Sequence, residues 1–168
     1  MPHRTYDGTV SVVGAILTTL SHILHQATQH PKADTLLNAR LHEDMYPLAD
    51  QIRLATQFSE NLVARLTGRE AVTFDGNPAT YAECFERIET VLKAVREADK
   101  DIVNQYGDKV ELTKRGPLEP VEMSGATFAH TMVLPNIYFH LTTAYGILRK
   151  EGVPLGKKDY YVGFFPIQ

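Results

Sequence analysis

An all-α fold, four long helices with one small β-hairpin set before the last, is what this 168-residue sequence predicts. Three observations predict it. Apolar residues recur at three- and four-residue spacing through four stretches, each long enough for several turns of amphipathic helix. Proline, glycine and asparagine mark the gaps between those stretches. Strict alternation of apolar and charged residues, the signature of a strand, is confined to a region between the last two.

The first stretch covers residues 7–29, with Val12, Val13, Ile16, Leu20, Ile23, Leu24 and Ala27 on its apolar stripe, and the pair His30-Pro31 closes it. A short helical turn follows at residues 34–40, with Asp34 placed to cap it. The second long helix starts between Asp44 and Pro47 and stops at Gly68, proline near the start and glycine past the end. Its inward stripe is Leu48, Ile52, Ala55, Phe58, Leu62 and Leu66, with Gln51 at the edge. The turn Asp75-Gly76-Asn77-Pro78 separates it from a third helix over residues 80–106, whose inward residues are Tyr81, Phe85, Ile88, Leu92, Val95 and Ile102. The outer face of that helix is a solvated charge pattern.

Residues 109–114 and 120–123 then alternate, placing Val110, Leu112, Val121 and Met123 on a hairpin that turns at Arg115-Gly116-Pro117-Leu118. The fourth helix begins at Ser124 or Thr127 and reaches Lys150, with Gly152 as its stop. Pro135 lies inside it and predicts a kink or the junction of two helical pieces. The tail carries Tyr160, Tyr161, Phe164 and Phe165, aromatic residues expected to cover a bundle end or a partner subunit. A four-helix bundle forming one domain over residues 1–168 is the economical architecture.

Composition narrows the function classes. Hydrophobic content of 43% with 22% charged residues is that of an ordinary globular chain. The net charge of −3 and the lack of a dense Lys/Arg block argue against a nucleic-acid partner. The single cysteine, Cys84, excludes an intramolecular disulfide and reads as a packed core thiol rather than a nucleophile. The apolar run at residues 10–24 reads as too short and too polar to span a bilayer, so a cytoplasmic protein without a membrane partner is expected.

The most informative stretch is Leu134-Pro135-Asn136-Ile137-Tyr138-Phe139-His140-Leu141-Thr142-Thr143-Ala144-Tyr145. Asn136, His140 and Thr143 fall at i, i+4 and i+7, so an amide, an imidazole and a hydroxyl share one helical stripe with Ile137, Leu141 and Ala144 beside it. Burying such groups costs roughly 1–3 kcal/mol each unless they are partnered. His140 therefore reads as a metal ligand, as an acid or base with an ordinary pKa near 6.5, or as a hydrogen-bonded core histidine. Asn136 orients a ligand or satisfies carbonyls freed at the kink. Gln51 reaches across to the fourth helix or binds a ligand. Tyr46 and Tyr145 supply phenols to a central pocket or simply pack. Asp44 caps the second helix or ligates a metal, and His42 lies on the surface or completes a site with Asp44. His22 and His25, three residues apart, point largely outward.

The segments Ala39-Arg40-Leu41-His42-Glu43-Asp44-Met45-Tyr46-Pro47-Leu48-Ala49-Asp50-Gln51-Ile52, the Leu134 to Tyr145 stretch, and Gly152-Val153-Pro154-Leu155-Gly156-Lys157-Lys158-Asp159-Tyr160 resemble a branch of the DinB/YfiT-like superfamily found in bacteria and fungi. The resemblance implies a four-helix bundle with a long crossover, commonly assembled as a homodimer. Better-known members hold a divalent metal through three histidines, one on helix two and an H-x-x-x-H pair on helix four, and some are thiol-dependent transferases. Here that pair corresponds to Asn136-x-x-x-His140, and no histidine falls at residues 44–51. A zinc, nickel or iron ion would draw on His140, Asp44, Gln51 and His42, and an amide oxygen is a poor zinc ligand. The leading expectation is a small-molecule-binding protein or enzyme with a polar pocket in the bundle core centred on His140 and Asn136, without the three-histidine metal site. A divalent-metal-dependent hydrolase or transferase and a non-catalytic dimeric scaffold are the alternatives.

Overall fold

The periodic stretches become helices, and three of the four are interrupted. The computed structural model describes residues 4–164. In chain order the elements are α1 (Thr5–Gly8), α2 (Val10–Thr28), α3 (Ala33–Leu36), α4 (Leu48–Thr67), α5 (Tyr81–Glu97), α6 (Lys100–Asp108), β1 (Val110–Arg115), β2 (Leu118–Ser124), α7 (Gly125–Phe128), a π-helical turn (Ala129–Val133), α8 (Leu134–Lys150) and α9 (Lys157–Tyr161). The described residues are mostly helical, with one two-stranded antiparallel sheet. Helix α2 packs on α5 and α8, and α4 packs on the same two. Their shared interior is apolar: Ile16, Leu20, Ile23, Leu48, Ile52, Leu62, Leu66, Ile137 and Leu141 have no exposed surface.

Each interruption has a local cause. The first stretch breaks at Thr9, whose backbone leaves the helical region while its hydroxyl donates to the Thr5 carbonyl at 2.5 Å. By length and apolar content the run Thr5–Thr28 could cross a bilayer, which corrects the shorter span read from the sequence, and nine residues of α2 are buried inside the protein. The expected third helix ends at Glu97 because the Asp99 carboxylate accepts from the N–H groups of Asp101 and Ile102 and starts a new helix. That restart turns Ile102, expected inside, outward and buries Val103 instead. Asp34 sits within the first turn of α3 and makes no cap. Asp44 does not cap α4 either. The helix starts later, at Leu48 after Pro47, and Asp44 pairs with His42 in the preceding loop.

The π-helical turn answers Pro135. Proline has no N–H, and its ring presses on the carbonyl four residues back. Widening the preceding turn passes those carbonyls to later donors. The Ser124 hydroxyl caps the segment by accepting from the Thr127 N–H at 3.1 Å. The hairpin pairs Val110 with Ser124 and Leu112 with Glu122. Its buried residue is Thr113, and Val110 and Leu112 face solvent. Arg65 of α4 anchors it, donating to the Thr113 hydroxyl at 2.7 Å and the Met123 carbonyl at 2.9 Å, with its guanidinium over the Phe128 ring.

The tail lies on α2 and α8. The Thr19 hydroxyl donates to the Tyr160 carbonyl at 3.1 Å and accepts from the Gly163 N–H at 2.9 Å. A Cβ at Gly163 would stand 1.9 Å from the Ala15 carbonyl oxygen, so only glycine allows this approach. Tyr160 meets the Tyr145 ring edge-on and Phe164 stacks with Tyr138. The expected covering role of Phe165 lies outside the described residues.

Candidate functional site

His140 sits where α8 crosses α4, and it is 6% exposed. Its partner is Gln51, 2% exposed, whose carbonyl oxygen lies 2.8 Å from His140 Nδ1. The other end of the Gln51 amide donates to the Tyr46 carbonyl at 2.9 Å. A backbone carbonyl only accepts, so it fixes which end of the amide is NH2 and leaves the oxygen toward the imidazole. His140 must then carry its proton on Nδ1, and Nε2 is left as a bare lone pair.

Burial pushes the His140 pKa down to about 4, and the positive charge of Arg53 adds to the effect. The imidazole is therefore neutral around pH 7: a fixed acceptor and not a proton donor at Nε2. Phe58 of α4 lies parallel to it with ring centres 6.3 Å apart, and Phe139 meets it edge-on at 5.4 Å. Arg53 is held by Asp50, its Nε and Nη2 at 2.9 and 2.8 Å from one carboxylate oxygen.

Nε2 of His140, the Asn136 amide and the Thr143 hydroxyl make no hydrogen bond among the described residues, and none of these atoms is sealed from solvent. They open along the α4–α8 seam. Four surface cavities of about 480, 330, 420 and 300 Å³ lie elsewhere and none includes His140, Asn136, Thr143 or Gln51. The polar stripe lies along the seam between α4 and α8, with His140 and Thr143 each 6% exposed.

The other expected residues divide clearly. Tyr46 contributes its backbone carbonyl, and the residue is 60% exposed. Tyr145 lies on the opposite side of α8 from His140 and packs on Tyr160. His42 and Asp44 pair with each other at 2.7 Å in an exposed loop. His22 meets Asp159 at 2.8 Å and His25 bonds the Ser21 carbonyl. Cys84 is fully buried, and burial pushes its thiol up to about 11, which keeps it protonated and unreactive. Sequence reasoning missed Arg53 and Phe139. An Asp50-x-x-Arg53 pair at i, i+3 was the available signal for the first.

The donor set does not fit the three-histidine ion that the resemblance implies. His140 offers one nitrogen, the Gln51 oxygen already accepts from that same ring, and Asn136 stands where a second imidazole would be. Among the described residues there is no group of three His, Cys, Asp or Glu side chains that could hold a metal.

The fold is that of a helical protein of the DinB kind. A DinB family member from Shewanella denitrificans, solved by crystallography at 1.83 Å resolution, is 35% identical, superimposes with a TM-score of 0.82, and is matched over 93% of this chain and 90% of that one. Residues 5–161 match the family described as a domain of unknown function, DUF1993, and the chain belongs to that family. No curated protein matches it.

Proposed function

We propose that this protein is a small-molecule-binding protein or enzyme of the DinB-like four-helix-bundle type, using the α4–α8 seam as its site. One observation carries the reading. His140 and Thr143 are each 6% exposed, yet Nε2 of His140 and the Thr143 hydroxyl have no hydrogen-bond partner among the described residues, while Gln51 holds the other imidazole nitrogen. Groups that only pack are satisfied internally. Polar groups beside a fixed imidazole that reach only solvent are open to a molecule that displaces that water.

In this reading Nε2 of His140 accepts a proton or hydrogen bond from the ligand, and Asn136 and Thr143 orient it. Gln51 is a positioning residue. The chemistry needs no metal from this donor set, and a homodimer in the cytoplasm is the companion expectation, checked by light scattering of the untagged chain. The site is tested by native mass spectrometry of the protein as purified, beside His140→Gln. A bound organic species present in the parent and lost from a folded variant supports the reading. The same species retained by His140→Gln, or a parent with no bound species and no ligand response at His140, rejects it.

A further inference from the structure

We propose that the seam selects an uncharged ligand carrying a hydroxyl or amide N–H on a flat apolar body, and discriminates against anions and ammonium ions. This rests on reading the seam as a ligand site, and it follows from which charges are present and which are already spent. The three groups free to bind, Nε2 of His140, the Asn136 amide and the Thr143 hydroxyl, are all neutral. The nearby cation, Arg53, has two of its nitrogens, Nε and Nη2, on one oxygen of the buried Asp50 carboxylate, which offsets part of its charge, and what remains still acts on the imidazole.

A ligand must bring a proton donor to Nε2, because the ring's own N–H is committed to Gln51 at 2.8 Å. A carboxylate or phosphate brings only lone pairs and meets that nitrogen lone pair to lone pair. An ammonium ion could donate, but it would lose hydration with no free carboxylate to replace it and with Arg53 close by. An alcohol, phenol or amide satisfies Nε2 without a charge to desolvate. Phe58, parallel to the imidazole, and Phe139, edge-on and 56% exposed, offer ring surface to an apolar body beside that donor.

Three probes with one ring and different heads separate the possibilities: benzyl alcohol, benzoate and benzylamine. Each is titrated near pH 7 into the full chain, following the imidazole nitrogens of His140 by long-range proton–nitrogen correlation. Benzyl alcohol should move the Nε2 resonance toward the hydrogen-bonded range in a saturable way, at least about fivefold more tightly than either charged probe. Thr143→Val should weaken it several-fold while the Nδ1–H tautomer is unchanged. Equal or tighter binding of benzoate or benzylamine at His140 overturns the ligand class and leaves the site standing. No response of His140 to any of the three, in a folded chain, removes the site itself.

Discussion

Replacing His140 by glutamine should make the protein less sensitive to mild acid, and the size of the change follows from burial. An ordinary histidine titrates near 6.5, and in this fold His140 is pushed down to about 4. Between those values the unfolded chain binds a proton that the native chain refuses, so native stability is present above the unfolded value and lost as pH falls. Integrating the linkage from near pH 7 to near pH 5 gives a loss of about 2 kcal/mol from this one residue, rising to about 3 kcal/mol near pH 4. A glutamine at the same place cannot titrate and can still reach Gln51. The assay is urea unfolding of both proteins near pH 7 and near pH 5. Every other titrating group is common to the two chains and cancels in the double difference. The variant should lose about 2 kcal/mol less than the parent on acidification. Parallel pH dependences, or an imidazole midpoint above 6 in the native protein, would refute the burial argument.

Three other outcomes test the surrounding structure. Gln51→Leu leaves the buried Nδ1–H of His140 and the Tyr46 carbonyl without partners; it should cost about 1–3 kcal/mol in urea unfolding and replace the single tautomer with a mixture visible in the nitrogen spectrum. Gly163→Ala puts a Cβ against the Ala15 carbonyl, 1.9 Å away, so the tail should lift and tryptic cleavage at Lys157 and Lys158 should accelerate; unchanged cleavage rejects the close approach. The Asp159 carboxyl is held below the usual range by the His22 hydrogen bond and the Gly156 N–H. Its contribution is present above the ordinary carboxylate pKa and lost as pH falls through the lower folded value, so Asp159→Asn should cost about 1 kcal/mol or less near neutrality and nothing in strong acid.

The elements were legible wherever a residue's effect is local. Alternation located the hairpin, Gly68 ended α4, and Pro135 marked the disturbed turn in the fourth helix. Two boundaries needed geometry that a hydrophobic stripe does not encode. The stripe of the third helix continues past Ala98, but the Asp99 side chain outbids the helical backbone for two N–H groups and restarts the chain at a new angle. The π-turn did leave a trace. Gly125, Ala129, Val133, Ile137 and Leu141 are all buried and spaced by four residues, a step at which a plain α-helix drifts about 40° each time. A wider turn takes up part of that drift and keeps the five on one side. At the site, the i, i+4, i+7 spacing placed Asn136, His140 and Thr143 together, and the edge position of Gln51 carried it to His140. What periodicity could not show is that the tail docks Tyr160 on Tyr145, or that the loop before α4 turns the Tyr46 carbonyl, not its phenol, toward Gln51.

That carbonyl changes what the imidazole can be. In a histidine that ligates a metal, one ring nitrogen faces the ion while the other donates to an acceptor that fixes the ring. Here the fixing half is present in full: Tyr46 orients Gln51, and Gln51 orients His140. The facing half differs, because the companions of Nε2 on its stripe are an amide and a hydroxyl rather than further imidazoles. Such companions exchange hydrogen bonds with a ligand but do not stabilise a dication, and Arg53 nearby adds positive charge to the same region. Ring orientation and the identity of the neighbouring side chains are thus separable features of one scaffold. Restoring an imidazole at residue 136 alone would supply two nitrogens against an Arg53 field and still leave Gln51, locked between two partners, unable to become the third ligand.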